Sequence, residues 1–249
     1  MKRLLFVLAV LVLSASAAFA DVTVVVSVAI NAAQMSQDGT MTSYTKGTKF
    51  RVDTNMANQN VTLLSDAAAK QQWMINHGTK EIEPFDPQKM MANMPISVGD
   101  AKASVKPNGQ TKEILGRTCQ GYLVEVTMPM TVGGETVTLR IAGPAWVAKE
   151  GVGVAEFKAA QKAFNDIGMN TSMLAQGPQG KALAELYKAL NDAGVVMEQE
   201  NQVTMEGTGQ MAQMLAQAGQ MTMTMKVTSL STDAIPDAKF ALPEGYKKK

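Results

Sequence analysis

The sequence predicts an α+β protein in which a curved antiparallel β half-barrel encloses a helical hairpin. Short runs of alternating apolar and polar residues fill much of 22–82 and return over 119–141, 195–206 and 221–230. Two stretches with the apolar spacing of helices lie next to each other, at 157–167 and 183–190. Strand-rich segments therefore flank a pair of adjacent helices, whereas a parallel α/β sheet would alternate single strands with single helices.

The strands are predicted by two-residue periodicity and by the turn residues between them. Residues 22–30 place valine or isoleucine at every second position, and glycine-containing turns follow at 38–39 and 46–47. Residues 76–79 have the composition of a tight hairpin connection. Residues 84–110 lose the pattern because prolines interrupt it, although 88–93 could form one or two helical turns.

The two predicted helices have well-marked apolar stripes. The first stripe consists of Phe157, Ala160, Phe164 and Ile167, and the second of Leu183, Leu186, Tyr187 and Leu190. Pro178 stands near the start of the second helix and Gly194 just after its end, which is the usual distribution of these residues. Phe157, Phe164, Leu186 and Leu190 are predicted to form one wall of an apolar cavity under the sheet.

Residues 1–20 have the features of a secretory signal peptide. Lys2 and Arg3 supply the positive start, residues 4–13 are apolar, and Ala18-Phe19-Ala20 fits the small-residue cleavage site. The apolar run is too short to span a bilayer core of about 30 Å. The sequence therefore predicts cleavage before Asp21, a single domain over residues 21–249 and no stable membrane insertion afterwards. The expected location is the periplasm of a Gram-negative bacterium, or outside the cell.

The charges give no sign of nucleic-acid binding. The chain has 23 Lys and Arg residues and 22 Asp and Glu residues, so there is no basic excess to attract a phosphate backbone. The three lysines at 247–249 are expected to be a solvated tail.

No catalytic, cofactor or metal site is predicted. His77 is the single histidine and lies in a predicted turn, so neither a triad nor a multi-histidine zinc site can be assembled around it. Residues 151–156 resemble a dinucleotide fingerprint, but Glu156 replaces the third glycine and no βαβ unit surrounds it. Glu198 and Glu200 share one strand face and are expected to mark its solvent side. Cys119, the single cysteine, is expected to be buried.

Methionine is the compositional anomaly, with 19 residues in 249. Met221, Met223 and Met225 share one face of a predicted strand, while the residues between them are threonines. Thioethers bind Cu(I), but flexible methionine side chains also fill irregular cores and line adaptable apolar cavities. The polar opposite face favours core or cavity lining over copper.

Four short segments, taken together, resemble a known family. They are YTKGTKFR at 44–51, GRTCQGY at 116–122, WVA at 146–148 and LPEGYK at 242–247. The set resembles the bacterial envelope proteins designated domain of unknown function 4412. That family is similar in fold to the lipoprotein carriers LolA and LolB, whose antiparallel half-barrel holds helices over an apolar cavity. The resemblance implies a LolA-like fold in the cell envelope and no catalytic residues.

The sequence favours a non-enzymatic binding protein for a hydrophobic ligand, either a lipid or the acyl part of a lipoprotein. The candidate ligand-binding residues are Phe157, Phe164, Leu186, Leu190, Met221, Met223 and Met225, and residues 207–220 are a candidate lid. No cofactor and no metal are expected. Two alternatives remain open: a methionine-rich copper-binding or envelope-stress protein, and a structural envelope component without a ligand.

Overall fold

The described residues of the computed structural model are 21–32, 35–57, 59–85, 96–132, 134–166, 178–207 and 220–249. They form one 13-stranded sheet and two α-helices. The strands are β1 (Val22–Ala32), β2 (Met35–Lys46), β3 (Lys49–Met56), β4 (Gln59–Asp66), β5 (Gln71–Asn76), β6 (Glu81–Pro84), β7 (Ile96–Val98), β8 (Lys102–Ile114), β9 (Arg117–Val132), β10 (Glu135–Ala148), β11 (Val195–Gly207), β12 (Met221–Ser231) and β13 (Lys247–Lys248). The helices are α1 (Val154–Asp166) and α2 (Pro178–Ala193).

The sheet is open and almost entirely antiparallel. Its strand order is β13-β6-β5-β4-β3-β2-β1-β12-β11-β10-β9-β7, and β8 pairs with a second part of β9. Strands β1 to β6 pair in chain order, and so do β8 to β12. The pairing of β1 with β12 joins these two parts at the centre of the sheet. The predicted antiparallel sheet is confirmed by this arrangement.

The region around 84–110 is more regular than its prolines indicate. Strand β8 spans Lys102–Ile114 and pairs with β9, with a register irregularity between Pro107 and Thr111. Proline lacks an N–H donor, so it fits an outer strand next to a bulge. The expectation that the strand pattern is lost in this region is therefore wrong for 96–98 and 102–110, while residues 88–93 lie outside the described ranges.

The C-terminal lysines are also more ordered than expected. Lys247 and Lys248 form β13, which lies parallel to β6 at one edge of the sheet. The backbone N–H of Lys247 donates to the carbonyl of Lys80, and that of Lys249 donates to the carbonyl of Ile82. The three lysines are exposed, as predicted, and the pairing of their backbone with β6 adds order that the sequence does not predict. Lysine at a sheet edge also discourages pairing with other chains.

The helices pack in two separate apolar clusters. Helix α1 joins the first cluster, which comprises Val22, Val24, Ile114, Cys119, Ala148, Val154, Ala160, Val195, Met197 and Val227. Helix α2 joins the second cluster, which comprises Tyr122, Val124, Val126, Ala145, Val147, Leu186 and Leu190. The residues that join the two helices, 167–177, lie outside the described ranges. The structure therefore contains both predicted helices without showing them as one enclosed hairpin. Among the described residues, no helix combines the length and apolar character needed to cross a membrane.

The segment after β12 covers the sheet at β3–β6. A third apolar cluster of Leu64, Ile75 and Ile82 packs there against Trp73, Phe240, Leu242 and Tyr246. Asp21 ties the start of this segment to β1, because the N–H of Ile235 donates to Asp21 Oδ2 at 2.6 Å. Lys46 Nζ donates to the carbonyl of Ile235 at 2.7 Å from the neighbouring strand.

Candidate ligand-binding face

The strand register divides the centre of the sheet into two chemically different faces. Residues paired directly across antiparallel strands place their side chains on the same face. Met223 pairs with Ile30 of β1 and with Asn201 of β11. Met225 pairs with Val28 of β1 and belongs to the same face. We call this the methionine face.

Nearly all methionines with described side chains lie on this face. Following the register from strand to strand, nine of the ten share it and all nine are half-buried: Met41, Met56, Met74, Met128, Met130, Met205, Met221, Met223 and Met225. The tenth, Met197, has no paired residue in β10 because it lies at a register irregularity, and it is fully buried in the first cluster. The methionines therefore form a spread-out surface that crosses several strands.

The opposite face is polar over the same strands. Thr224 pairs with Ala29 and Glu200, and Lys226 pairs with Ser27 and Glu198. We call this the threonine face, because Thr222 and Thr224 of β12 lie on it. The sheet thus has the two-sided pattern that the sequence of β12 predicts. The nine methionines are nevertheless half-buried, so they lie outside the fully buried core.

In the part of the chain that the structure describes, the two helices cover one end of the methionine face. The β1 residues in the first cluster, Val22 and Val24, lie on the same face as Val28 and Ile30 but farther towards the start of the strand. In the second cluster, Val124 and Val126 of β9 belong to that face, and the half-buried Met128 packs against the cluster. Towards the other end, this apolar face carries its half-buried methionines.

The structure separates the seven residues predicted from the sequence to bind the ligand. Phe157 is half-buried against the first cluster, whereas Leu186 and Leu190 are buried in the second. Phe164 lies in α1, but its side chain is outside the described part of the structure. Met221, Met223 and Met225 share one face of the sheet with the other six methionines. The proposed lid lies mainly outside the described ranges, which omit 208–219.

A pair of amides interrupts the apolar character of the methionine face. Gln199 pairs with Met225 on one side and with Ala145 on the other. Its Nε2 donates a hydrogen bond of 3.0 Å to Oδ1 of Asn201. Asn201 is only 4% exposed, and Gln199 is half-buried.

The remaining reactive groups have structural partners. Cys119 is fully buried, as predicted, and burial raises the pKa of its thiol, which favours the unreactive protonated form. His77 hydrogen-bonds both Thr62 and Tyr246. Among the described residues, no group of three or more His, Cys, Asp or Glu side chains could hold a metal ion.

Glu198 is more enclosed than a solvent-facing acid. Its carboxylate bonds Lys112 Nζ and lies 3.6 Å from Lys226 Nζ, and its side chain is 15% exposed. Lys112 also lies over the ring of Trp146, 4.7 Å from its centre. Glu200 is exposed, so the expectation of solvent-facing acids holds for Glu200 and fails for Glu198. Two lysines enclose the Glu198 carboxylate, and the cluster is an ion-pair network on the threonine face.

A small pocket lies away from the methionine face. It has a volume of about 140 Å³ and is formed between the sheet and the C-terminal segment, with Leu64, Trp73, Phe240 and Leu242 among its lining residues. Ligand pockets for drug-sized molecules usually enclose about 300–1,000 Å³. This pocket is too small to enclose a drug-sized ligand.

Comparisons with known proteins give no family assignment. No protein-family model matches the chain, including that of the envelope family which its short motifs resemble, and no curated protein matches it in sequence. One similar solved structure is a domain from Vibrio parahaemolyticus that carries the provisional name of outer membrane lipoprotein-sorting protein. It has a TM-score of 0.36 and 8% identity, and the match covers 89% of each chain. Another is a DUF1329 family protein from Desulfovibrio piger, with a TM-score of 0.35 and 7% identity over 89% of this chain and 90% of that one. Similarity at this level does not establish a shared activity.

Proposed function

We propose that this protein is a non-enzymatic, periplasmic binding protein for a hydrophobic ligand, either a lipid or the acyl part of a lipoprotein. The observation that carries the proposal is the methionine face, on which nine half-buried methionines share one side of the sheet. A surface of this composition is unusual in a protein that keeps its apolar side chains inside a packed core.

Methionine suits a surface that must accept chains of varied shape. Its side chain is unbranched, with three rotatable bonds and a polarisable sulfur, so it can repack around different ligands. Each methylene of an acyl chain buried against such a surface contributes about 0.8 kcal/mol to binding. Valine and isoleucine from β1 extend the apolar area beside Met223 and Met225. Together these residues support binding through burial of an acyl chain, without any reaction at the site.

The distribution of the methionines favours an apolar surface over a copper centre. Met221, Met223 and Met225 follow one another at alternate positions, so their Cα atoms are separated by about 6.6 Å. Their direct cross-strand neighbours are valine, isoleucine, glutamine and asparagine, and none of these supplies a second sulfur. A Cu(I) site would draw its thioethers together around one ion. The remaining face methionines lie on other strands.

The test is to identify what the protein carries in its own compartment. The protein would be purified from the periplasm without detergent, extracted with organic solvent, and the extract analysed by lipid mass spectrometry. We expect lipids or acylated peptides in near-stoichiometric amount, relative to a control periplasmic protein purified in parallel. An extract that matches the control, together with stoichiometric Cu(I) in the purified protein, would overturn the proposal.

A further inference from the structure

We propose that Gln199 and Asn201 bind the polar linkage of the ligand, the ester or amide carbonyl of an acyl chain, while the methionines bind the chain itself. This inference rests on the proposed function and defines the chemical class of the ligand more narrowly. It predicts that the protein distinguishes an acyl ester or amide from a plain hydrocarbon of similar size.

Gln199 and Asn201 form a polar pair among apolar residues of the methionine face. On β1 and β12, the described residues of this face are valine, isoleucine, leucine, methionine or alanine, and on β10 they are apolar or glycine from Val137 onwards, after Glu135 at the start of the strand. On β11, the same face runs from Gln199 through Asn201 to Val203 and Met205. A surface that serves only to bury hydrocarbon has no use for two amides in its centre, because an amide removed from water without hydrogen bonds costs about 1–3 kcal/mol.

The two amides have different roles in the proposed site. Asn201 is almost fully buried, and its Oδ1 accepts the hydrogen bond from Gln199 Nε2. That bond fixes the orientation of the Gln199 amide, so Asn201 is a positioning residue. Gln199 is the half-buried partner and therefore the one that reaches a bound molecule. A primary amide has two N–H donors and a carbonyl acceptor, and the bond to Asn201 uses one donor. The second N–H matches an ester or amide carbonyl.

The position of the pair also fits a ligand with a polar end and a long chain. Gln199 pairs with Ala145, which belongs to the second cluster together with Leu186 and Leu190 of α2. On its other side it pairs with Met225, from which Met223 and Met221 continue along β12. The amides therefore lie where the helix-covered end of the face meets the methionine-bearing end. A ligand with its linkage at Gln199 would extend its chain over the methionines.

Gly143 allows β10 to lie close to the backbone of β11 beside the two amides. A Cβ atom at this position would overlap the carbonyl oxygen of Glu200, so β10 approaches β11 closely there. Ala145, two residues along β10, has the smallest side chain and is fully buried. The place that a side chain at Gly143 would need is thus filled by the backbone of β11 beside Gln199 and Asn201.

The experiment compares two fluorescent probes that differ in their polar group. Parinaric acid methyl ester has an acyl chain with an ester carbonyl, and diphenylhexatriene is a pure hydrocarbon. Their Kd values would be measured on the wild-type protein, on Gln199→Leu and on Gln202→Leu. Gln202 is a matched control, because it is an exposed glutamine on the opposite face of the same strand. A second variant, Gln199→Met, decides the result if Gln199→Leu does not fold.

We expect Gln199→Leu to weaken ester binding about tenfold, the effect of losing one hydrogen bond, and to leave hydrocarbon binding within about twofold. Gln202→Leu should change neither Kd. If the wild type binds both probes and the Gln199 variants bind the ester as well as before, the role of the amides is refuted and the proposed function stands. If the wild type binds neither probe, both the inference and the proposed function are refuted.

Discussion

The hydroxyl oxygen of Tyr246 lies 2.9 Å from Nδ1 of His77, and this contact fastens the C-terminal segment to the turn between β5 and β6. On its other side, His77 Nε2 lies 2.8 Å from Thr62 Oγ1. The Thr62 hydroxyl donates its proton to Asp53 Oδ1 at 2.6 Å. In the neutral ring, therefore, Nε2 carries the hydrogen and Nδ1 accepts from Tyr246. The single histidine has a structural role that joins two strands, a turn and the C-terminal segment.

Removing this hydroxyl tests the role of the contact in stability. We expect Tyr246→Phe to lower the free energy of unfolding by about 1 kcal/mol, since one hydrogen bond is lost while the ring stays in the third cluster. Tyr246→Ala should cost more, because it also removes the apolar contacts of the ring. Urea denaturation of both variants measures the two effects. Equal stability of Tyr246→Phe and the wild type would contradict this role.

The stability that the contact between β13 and β6 contributes should depend on pH, because Glu81 takes part in this contact. Lys249 Nζ lies 2.8 Å from Glu81 Oε2, and hydrogen bonds from Lys249 and Thr79 lower the pKa of this carboxyl group. A lowered pKa stabilises the folded state above the pKa that the group has in the unfolded chain. That stabilisation is lost as the pH falls through the lowered folded value. We expect Glu81→Gln to be less stable than the wild type at neutral pH and equally stable once Glu81 is protonated. Denaturation curves at both pH values provide the check, and a pH-independent difference would contradict it.

Gly143 should tolerate no side chain. A Cβ atom there would overlap the backbone oxygen of Glu200, and no side-chain rotation relieves a clash with backbone. We expect Gly143→Ala to lower the free energy of unfolding by more than about 2 kcal/mol. Gly78→Ala is the control, because the nearest atom to its Cβ is a side-chain oxygen of Asn76 at 3.3 Å. Similar stability of the two variants would show that β10 and β11 do not approach so closely.

Oxidation should distinguish the methionine face from the core. Peroxide converts a thioether to a sulfoxide, and the rate follows the access of the reagent to the sulfur. Met221, Met223 and Met225 are half-buried, whereas Met197 is fully buried in the first cluster. We expect peptide mass spectrometry to find the three face residues oxidised well before Met197 at a low peroxide dose. Oxidation of Met197 at the same rate in folded protein would contradict this difference in burial.

Much of the fold follows from local sequence patterns. The alternation in β1 and β12 predicts two strands with one apolar face, and both are present. The prediction for 84–110 fails because Pro107 lies in an outer strand at a register irregularity, where the missing N–H is tolerated. The exposure of the lysine tail is predicted, but its pairing with β6 is not, because that pairing depends on the backbone and not on the side chains.

The candidate site was only partly predictable, because it depends on pairing between strands far apart in sequence. Periodicity alone places Met221, Met223 and Met225 on one face. It cannot show that Met41 and Met205 share that face, since the register of β1 with β2 and β12 decides this for Met41 and the register of β11 with β12 decides it for Met205. The same limit applies to Gln199, whose polar side chain suggests solvent exposure until its partner Met225 is known. The apolar stripes of the helices predict burial correctly for Leu186 and Leu190, but they do not reveal that Phe157 joins another cluster.

The central claim is that a hydrophobic ligand binds the methionine face, and the most direct test is the Kd of a fluorescent acyl probe for two matched double variants. Met223→Gln with Met225→Gln changes this face, and Thr222→Gln with Thr224→Gln changes the opposite face of the same strand. All four residues are half-buried, so the pairs are matched in exposure. We predict that the methionine variant binds at least about tenfold more weakly, because amides replace apolar contacts, while the threonine variant stays within about twofold of the wild type. Equal affinities of the wild type and both folded variants would contradict the account.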